Sequence, residues 1–142
     1  MKKLIILFSF LCCSCIGFSQ ELGVRFGDVL GNTVALDGVF STGDFHRIHL
    51  DLSFGNDFGL EVLWDFVYRP FGGEAFYYYL GVGPSMLFTN NTIFGISGEA
   101  GLEYHFNGAP LAIGIDWRPT YFLGDNSNFE AGSYGVNARF VF

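Results

Sequence analysis

The sequence has very little cysteine and lysine, and both are confined to its first 15 residues. Its three cysteines are Cys12, Cys13 and Cys15, and its two lysines are Lys2 and Lys3. A chain that loses this segment has no disulfide framework. Its positive charge then comes from 5 arginines against 14 acidic residues, a formal charge of about −9. This balance argues against nucleic acid as a partner, because phosphates require cations to neutralise them.

Long apolar runs are absent beyond residue 20, although 50% of the residues are hydrophobic and 19% are aromatic. No later stretch approaches the ~20 consecutive apolar residues of a membrane helix. The 20 glycines interrupt the apolar stretches throughout, which disfavours long helices. The chain is therefore hydrophobic overall, but it has no long uninterrupted hydrophobic segment after residue 20.

The one continuous apolar run, from Leu4 to Ile16, lies at the start of the chain. Two lysines precede it, and Gly17 and Ser19 are small residues at the −3 and −1 positions of a cut before Gln20. This pattern predicts a secretory signal peptide over residues 1–19 and one mature domain over residues 20–142. The alternatives are a membrane anchor, for which the run is short, and lipidation at a cysteine such as Cys15.

The mature chain alternates apolar and polar residues with a period of two, which is typical of β-strands. Clusters of Gly, Asn, Asp and Pro, the usual residues of hairpin connections, separate the alternating segments. The pattern predicts an all-β, eight-stranded antiparallel meander. Its segments cover roughly residues 21–27, 33–41, 46–54, 58–69, 76–88, 95–106, 111–122 and 133–142. Two prolines fall within segments, Pro84 and Pro119, and each is predicted to mark a bulge or a strand end.

Charged residues share one face of each segment, opposite the main apolar set. The segments contain 13 charged residues in seven strands. One charged residue in each of the seven strands sets the phase of that strand. The other six lie on the predicted polar face, an agreement that chance would produce about once in 64. Two architectures fit this alternation. A soluble sandwich or lipocalin-like barrel would bury the apolar face, whereas a membrane barrel would turn it towards lipid and keep the charges in its lumen.

Three features favour the membrane barrel. The polar face carries arginine and no lysine, and the planar guanidinium can pair two carboxylates in a confined space. Glycines on that face, such as Gly81, Gly83 and Gly101, leave room in a narrow lumen. Aromatic residues near strand ends match the girdles at membrane interfaces: Phe26, Phe40, Phe54, Tyr68, Phe76, Phe88, Phe106, Tyr121 and Phe142. The predicted lumenal charge network comprises Arg25, Asp37, Arg47, Asp51, Glu61, Asp65, Arg69, Glu99, Glu103, Asp116, Arg118 and Arg139.

Several stretches resemble the small eight-stranded outer-membrane β-barrels of Gram-negative bacteria, of the OmpA-barrel and OmpX type. They are "YYYLGVGPSMLF", "GISGEAGLEYHF", "PLAIGIDWRPTYF" and the terminal "YGVNARFVF". The resemblance implies a transmembrane up-and-down barrel in the cell outer membrane, with both termini in the periplasm. It also implies that Phe140 and Phe142 form the signal that the barrel-insertion machinery reads on the last strand. Outer-membrane lipid and that machinery are the expected partners, and we expect a monomer.

No cofactor, metal site or catalytic residue is predicted. His46 and His49 are three residues apart and so lie on opposite faces of a strand. The loop "DNSNFE" at 125–130 lacks the order of ligands of a calcium loop. Some barrels of this size are lipid A enzymes, but the His-x-Ser-Asn pattern of the deacylase is missing. The predicted protein is a non-enzymatic barrel with a structural or surface-presenting role. A narrow channel or small-solute conduit is the alternative, and a secreted soluble barrel is the third possibility.

Overall fold

The computed structural model describes residues 20–73, 75–124 and 127–142, which form ten β-strands. The predicted signal peptide lies outside the described residues. The strands are β1 (Gln20–Val29), β2 (Asn32–Ser41), β3 (Arg47–Phe54), β4 (Phe58–Pro70), β5 (Phe76–Phe88), β6 (Thr92–His105), β7 (Leu111–Trp117), β8 (Thr120–Leu123), β9 (Asn128–Glu130) and β10 (Tyr134–Val141). No described segment is a helix with the length and hydrophobicity that crossing a membrane requires.

The strands close into one antiparallel barrel. Each strand from β1 to β6 pairs with the next, β7 pairs with β6 and β10, and β10 returns to β1. β7 and β8 are two parts of the seventh predicted segment, and both pair with β6. β9 is a short arm that pairs with β8. The wall therefore has eight strands, and the predicted all-β, antiparallel up-and-down barrel is confirmed.

Both ends of the described chain lie at one end of this barrel. The Phe142 N–H donates to the Gln20 carbonyl over 2.9 Å, which joins the last strand to the first. We call this the terminal end. The opposite end, where β1 reverses into β2, is called the turn end.

The β1–β2 connection is a two-residue turn formed by Leu30 and Gly31. Their φ angles are 53° and 80°, and positive φ at both central positions defines a type I′ hairpin. This conformation suits glycine but is unfavourable for leucine. Leu30 is nevertheless buried, in an apolar cluster with Val29 and Ala35. Burial of the leucine side chain offsets the strain of its backbone.

A β-bulge lies in β4, where sequence periodicity predicts unbroken alternation. The pairing with β5 shifts between Asp65 and Val67, so Phe66 is an extra residue with no partner across the ladder. Because side chains alternate with a period of two, one inserted residue reverses the faces of all residues that follow it.

The bulge makes the predicted positions of Tyr68 and Arg69 wrong. Tyr68 was expected to face outward, but its ring lies inside, 4.1 Å from the Arg47 guanidinium carbon. Arg69 was expected in the lumen, but it is exposed on the outside, 3.6 Å from the centre of the Phe45 ring.

The two prolines behave differently. Pro119 separates β7 from β8 and so marks a strand end, as predicted. Pro84 lies within β5, paired with Ile96 in an unshifted register, so it marks neither a bulge nor a strand end and that prediction is wrong. On its other side, the ladder to β4 has no pair between Ser85 and Val82. The missing N–H of Pro84 therefore falls at a gap in the hydrogen bonding.

The barrel wall is apolar outside and polar inside. Large hydrophobic residues along every long strand are exposed, among them Leu22, Leu36, Trp64, Ile96 and Ile115. Among the described residues, the buried set consists mainly of charged and polar side chains. This distribution is the reverse of a soluble barrel, in which the apolar face forms the core.

Candidate functional site: the charged lumen

Charged side chains fill the interior of the barrel. Within the described chain, four arginines and eight acidic residues are buried there. They are Arg25, Arg47, Arg118, Arg139, Glu21, Asp37, Asp51, Glu61, Asp65, Glu99, Glu103 and Asp116. Alternation along the strands places them, because each except Arg118 lies on the inward face of a strand whose other face is apolar. Arg118 lies between β7 and β8. With histidine neutral, this set carries an excess of four negative charges.

Arg139 and Arg47 form an ion-pair cluster near the terminal end. Arg139 contacts three carboxylates: Glu21 at 2.9 Å, Asp37 at 3.1 Å and Glu103 at 2.5 Å. Arg47 donates to both carboxylate oxygens of Glu103 over 2.8 and 2.9 Å. Glu103 therefore joins two arginines from strands on different sides of the barrel.

Arg47 also connects this cluster to the neighbouring strand. Its Nε donates to Asp65 over 2.7 Å. Its guanidinium carbon lies 4.6 Å from the centre of the Tyr79 ring, in addition to its contact with Tyr68. Such stacking suits a guanidinium better than an ammonium group, which is consistent with arginine at this position.

Arg118 and Arg25 form a second cluster, closer to the turn end. Arg118 donates to Asp51 over 2.5 Å and lies 3.4 Å from Glu61. Arg25 binds one oxygen of Asp116, and its other donor reaches the carbonyl of Asp28 over 2.8 Å. Asp51 lies on the opposite side of the barrel from Arg118, so this ion pair spans the lumen.

Tyr79 occupies the centre of the lumen, a position that the sequence alone did not predict. It is fully buried, with its ring 5.3 Å from that of His49. Gly101 on the neighbouring strand provides the space, because a Cβ there would lie 2.2 Å from the Tyr79 ring. The sequence did carry a signal for the position of Tyr79. It consisted of the lumenal glycines Gly81 and Gly101 and of the spacing of two between Tyr79 and Gly81 along β5. Three tyrosines are consecutive here, and nothing in the sequence indicated which of the three would be buried.

The two ends of the lumen differ. At the turn end, Val29, Leu30 and Ala35 pack with Leu87 and Phe122 into an apolar cap. At the terminal end, the rings of Tyr68 and Tyr77 stack at 4.9 Å, and Tyr77 contacts His105. The His105 side chain retains 24% exposure. The lumen therefore meets solvent mainly through a polar mouth at the terminal end.

The structure brings together eleven of the twelve residues in the predicted charge network, and Arg69 is the exception. Glu21, absent from the predicted network, belongs to the cluster of Arg139. Phe140 and Phe142 are exposed on the outer face at the terminal end, with ring centres 5.0 Å apart. Their role as an insertion signal remains a prediction.

Ser97 bonds Thr120, and it lies eight residues from His105 along β6, about 26 Å at the usual strand rise, so the two form no nucleophile–base pair. His46 is exposed on the outside, with its ring centre 6.0 Å from that of Trp64, whereas His49 is buried inside. Three lumenal groups each combine histidine with two carboxylates: Glu21, Glu103 and His105; Asp37, His49 and Asp51; and His49, Asp65 and Glu99. Residues 125 and 126 of the considered calcium loop lie outside the described residues.

No protein-family model and no curated protein sequence matches this chain. Among solved structures, the chain is similar to the N-terminal β-barrel domain of Pseudomonas aeruginosa OprF. The TM-score is 0.59 with 14% sequence identity, over 88% of this chain and 96% of that domain. At this identity the likeness shows a shared fold. The resemblance to small outer-membrane barrels is thus confirmed at the level of the fold.

Proposed function

We propose that this chain, which has the fold of the OprF barrel domain, is a non-enzymatic integral protein of the outer membrane. Its exposed apolar wall supports this proposal, because contact between water and so many large hydrophobic side chains would be unfavourable. About ten residues per strand, tilted by about 40°, cover an apolar band about 25 Å tall. Spanning sheets must be closed, since lipid cannot satisfy an open edge, and this barrel is closed.

Aromatic clusters at the two ends also support a membrane location. Phe54, Phe58 and Phe88 form one chain of ring contacts near the turn end, with centres 5.5 and 5.6 Å apart. A second chain of contacts, among Phe76, Tyr104 and Phe106, lies near the terminal end. Two such clusters correspond to the girdles at the two lipid–water interfaces.

The ion pairs across the lumen are the observation that carries the proposed role. Arg118 reaches Asp51 on the other side of the barrel, and Arg47 reaches Glu103. Opening a water-filled path would require separating these buried pairs, which is costly. The barrel therefore acts as a structural element of the membrane and as a support for the β8–β9 arm. The Trp117 indole N–H fixes that arm by donating to the Ala131 carbonyl over 2.7 Å.

Two measurements test this proposal. Cell fractionation should recover the exported chain in the outer membrane and release it only with detergent; recovery in a detergent-free soluble fraction would refute the membrane assignment. In planar bilayers the purified barrel should show no steady conductance. A stable, voltage-independent open state would refute the closed lumen.

A narrow cation conduit is the second candidate, and the excess of lumenal carboxylates favours it. If the barrel conducts, it should select cations over anions, because the acidic residues outnumber the arginines by four. Replacing Asp51 with asparagine would then remove one lumenal carboxylate beside Arg118 and reduce that selectivity. Absence of current from both proteins would exclude the conduit.

We further propose that the terminal aromatic residues are read by the insertion machinery. Phe142→Ser should reduce the amount of barrel assembled in the outer membrane. Phe129→Ser is the matched control, because Phe129 is an exposed aromatic on the β8–β9 arm, away from the last strand. Equal assembly of both variants would contradict this role, and heat-modified electrophoretic mobility of membrane fractions measures it.

A further inference from the structure

The arginines of the lumen are each shared among several carboxylates. Arg118 lies within 3.5 Å of four of them, which belong to Asp51, Glu61, Glu99 and Asp116. Arg47 lies within 3.9 Å of three more, which belong to Glu21, Asp65 and Glu103. Four arginines face eight acids in the lumen, so contact with an arginine does not by itself compensate a carboxylate. A buried charge without compensation is costly, and a carboxylate in such a site is commonly neutralised by a proton.

Asp65 and Glu99 each turn only one carboxylate oxygen towards the basic side chains around them. Asp65 Oδ2 accepts from Arg47 Nε over 2.7 Å, and Glu99 Oε2 lies 3.3 Å from Arg118 Nη2. His49 lies between the same two oxygens, with Nε2 3.1 Å from Asp65 Oδ2 and Nδ1 3.4 Å from Glu99 Oε2. Arg118 Nη2 donates to His49 Nδ1 over 3.4 Å, so the ring proton lies on Nε2 and points to Asp65. Asp65 Oδ1 and Glu99 Oε1 take no part in these contacts.

These two remaining oxygens meet beside Gly81. A Cβ at this position would lie 2.4 Å from Asp65 Oδ1 and 2.9 Å from Glu99 Oε1. Both side chains are fully buried, and neither oxygen has a hydrogen-bond donor among the described residues. The two carboxyl groups are within hydrogen-bonding reach of each other. Two ionised carboxylates offer only acceptors and repel each other, whereas a proton on one of them makes the contact a hydrogen bond.

We propose that Asp65 and Glu99 form a proton-binding site, in which the folded barrel holds one proton between the two carboxyl groups at neutral pH. The proton comes from the solvent as the chain folds, and it reduces the lumenal excess from four negative charges to three. It satisfies both oxygens beside Gly81 at once, as buried polar atoms require.

The unequal contacts of the two acids place the proton on Glu99, which donates from Oε1 to Asp65 Oδ1. Asp65 accepts a short bond from Arg47, which stabilises its ionised form. Glu99 accepts no hydrogen bond from the described residues, and its arginine contact is longer. The Tyr79 ring, from β5, lies 5.3 Å from the ring of His49, and its phenol group is ordinarily uncharged at this pH. No further cation therefore reaches Glu99 from β5.

Asp37 and Asp51 are a second pair of lumenal acids, opposite each other on β2 and β3, but they are a weaker candidate. Arg139 donates to Asp37 over 3.1 Å, and Arg118 donates to Asp51 over 2.5 Å. Each acid of this pair therefore accepts a hydrogen bond from its own arginine, whereas Glu99 accepts none. The proposal accordingly concerns the pair beside Gly81.

Infrared spectroscopy of the folded barrel tests the proton directly, because the C=O group of a protonated carboxyl absorbs apart from an ionised carboxylate. The exported chain is purified, unfolded in urea and refolded in detergent, and the urea is removed by dialysis. At about pH 7, where ordinary carboxyl groups are ionised, we expect the absorption of about one protonated carboxyl group per barrel. This readout on the unmodified chain does not depend on any variant folding.

Glu99→Gln assigns the absorption to this site. The variant should lose it and still fold, because the glutamine amide can donate to Asp65 Oδ1 in place of the proton. Glu61→Gln is the matched control, since Glu61 is also buried and contacts Arg118 at 3.4 Å. It should keep the absorption of the unmodified chain.

Urea unfolding at several pH values is the second readout, followed by tryptophan fluorescence in detergent. Above about pH 5 the unfolded chain releases the proton of Glu99 while the barrel retains it, so stability falls as the pH rises. From about pH 5 to about pH 7, the unfolding equilibrium constant should rise about 80-fold relative to that of Glu99→Gln. Titration of His49 and of the other lumenal acids is common to both proteins and cancels in this ratio.

Four outcomes would overturn the proposal: a folded barrel without a protonated carboxyl group at neutral pH, an absorption that persists in Glu99→Gln, its loss in Glu61→Gln, or the same pH dependence of unfolding in Glu99→Gln and the unmodified chain. Because the site requires only the folded lumen, these results are independent of the membrane and conductance tests.

Discussion

Replacing Arg139 with leucine should strongly destabilise the barrel, because this arginine is a partner of several buried carboxylates at the terminal end. The guanidinium contacts Glu21, Asp37 and Glu103, which lie on three different strands. Leucine would leave these carboxylates facing one another without this cation. Removing one partner of a buried ion pair typically costs about 3–5 kcal/mol, and we expect a loss in that range.

Urea unfolding of the refolded barrel in lipid vesicles measures this loss through tryptophan fluorescence. Trp64 and Trp117 lie on the outer face and report the transfer of the wall out of lipid. With a urea m-value of about 2 kcal/mol/M, a loss of about 4 kcal/mol moves the midpoint by about 2 M. The deficit should shrink in acid, because protonated carboxyl groups no longer require a cation.

Arg69→Leu is the matched control, with the same substitution on the opposite face. Arg69 is exposed and contacts the Phe45 ring, an interaction worth at most about 1 kcal/mol at such a site. Equal midpoints for the two variants, or an Arg139→Leu cost below 1 kcal/mol at neutral pH, would refute the stabilising role of Arg139 among the lumenal carboxylates.

Two further predictions concern the lumen and the turn end. Gly101→Ala should cost about 1–3 kcal/mol, because its Cβ would collide with the Tyr79 ring, whereas Gly43→Ala, with open space around it, should leave the urea midpoint nearly unchanged. Burial, and then the nearby Asp28 carboxylate, raise the pKa of Glu130; the folded arm then binds a proton more tightly than the unfolded chain, so its stability falls as pH rises from the ordinary pKa through the raised one. Hydrogen exchange of the β9 amides, corrected for intrinsic rates, should show this fall in the unmodified chain and not in Glu130→Gln.

The strands and their faces could be predicted because alternation is a local property of the chain. In β10, Asn137 and Arg139 are buried while Val136, Ala138 and Phe140 are exposed, as the period of two predicts. The direction of that alternation, apolar outward, followed from the arginines without lysines and from the aromatic strand ends. Eight alternating segments were likewise enough to predict a closed antiparallel barrel, since spanning sheets leave no open edge.

The partners of each charge could not be predicted, because ion pairs across a lumen depend on how strands far apart in sequence are staggered. Arg139 and Asp37 are paired although 102 residues separate them. The group of His49, Asp65 and Glu99 has no sequence spacing that would identify it, since its members come from β3, β4 and β6.

Arg69 is the clearest case in which alternation within one segment predicts the wrong face for a side chain. By itself, the sequence determined the strand number and the inward face of most charges, because both depend on a period of two within single segments. It predicted closure because a sheet that spans a membrane leaves no open edge. Only the tertiary structure revealed the extra residue at Phe66, since a bulge exists only relative to the neighbouring strand. Pairing of β4 with β5 turned Tyr68 into the lumen and Arg69 out of it, and pairing between strands likewise decided which arginine each lumenal carboxylate contacts.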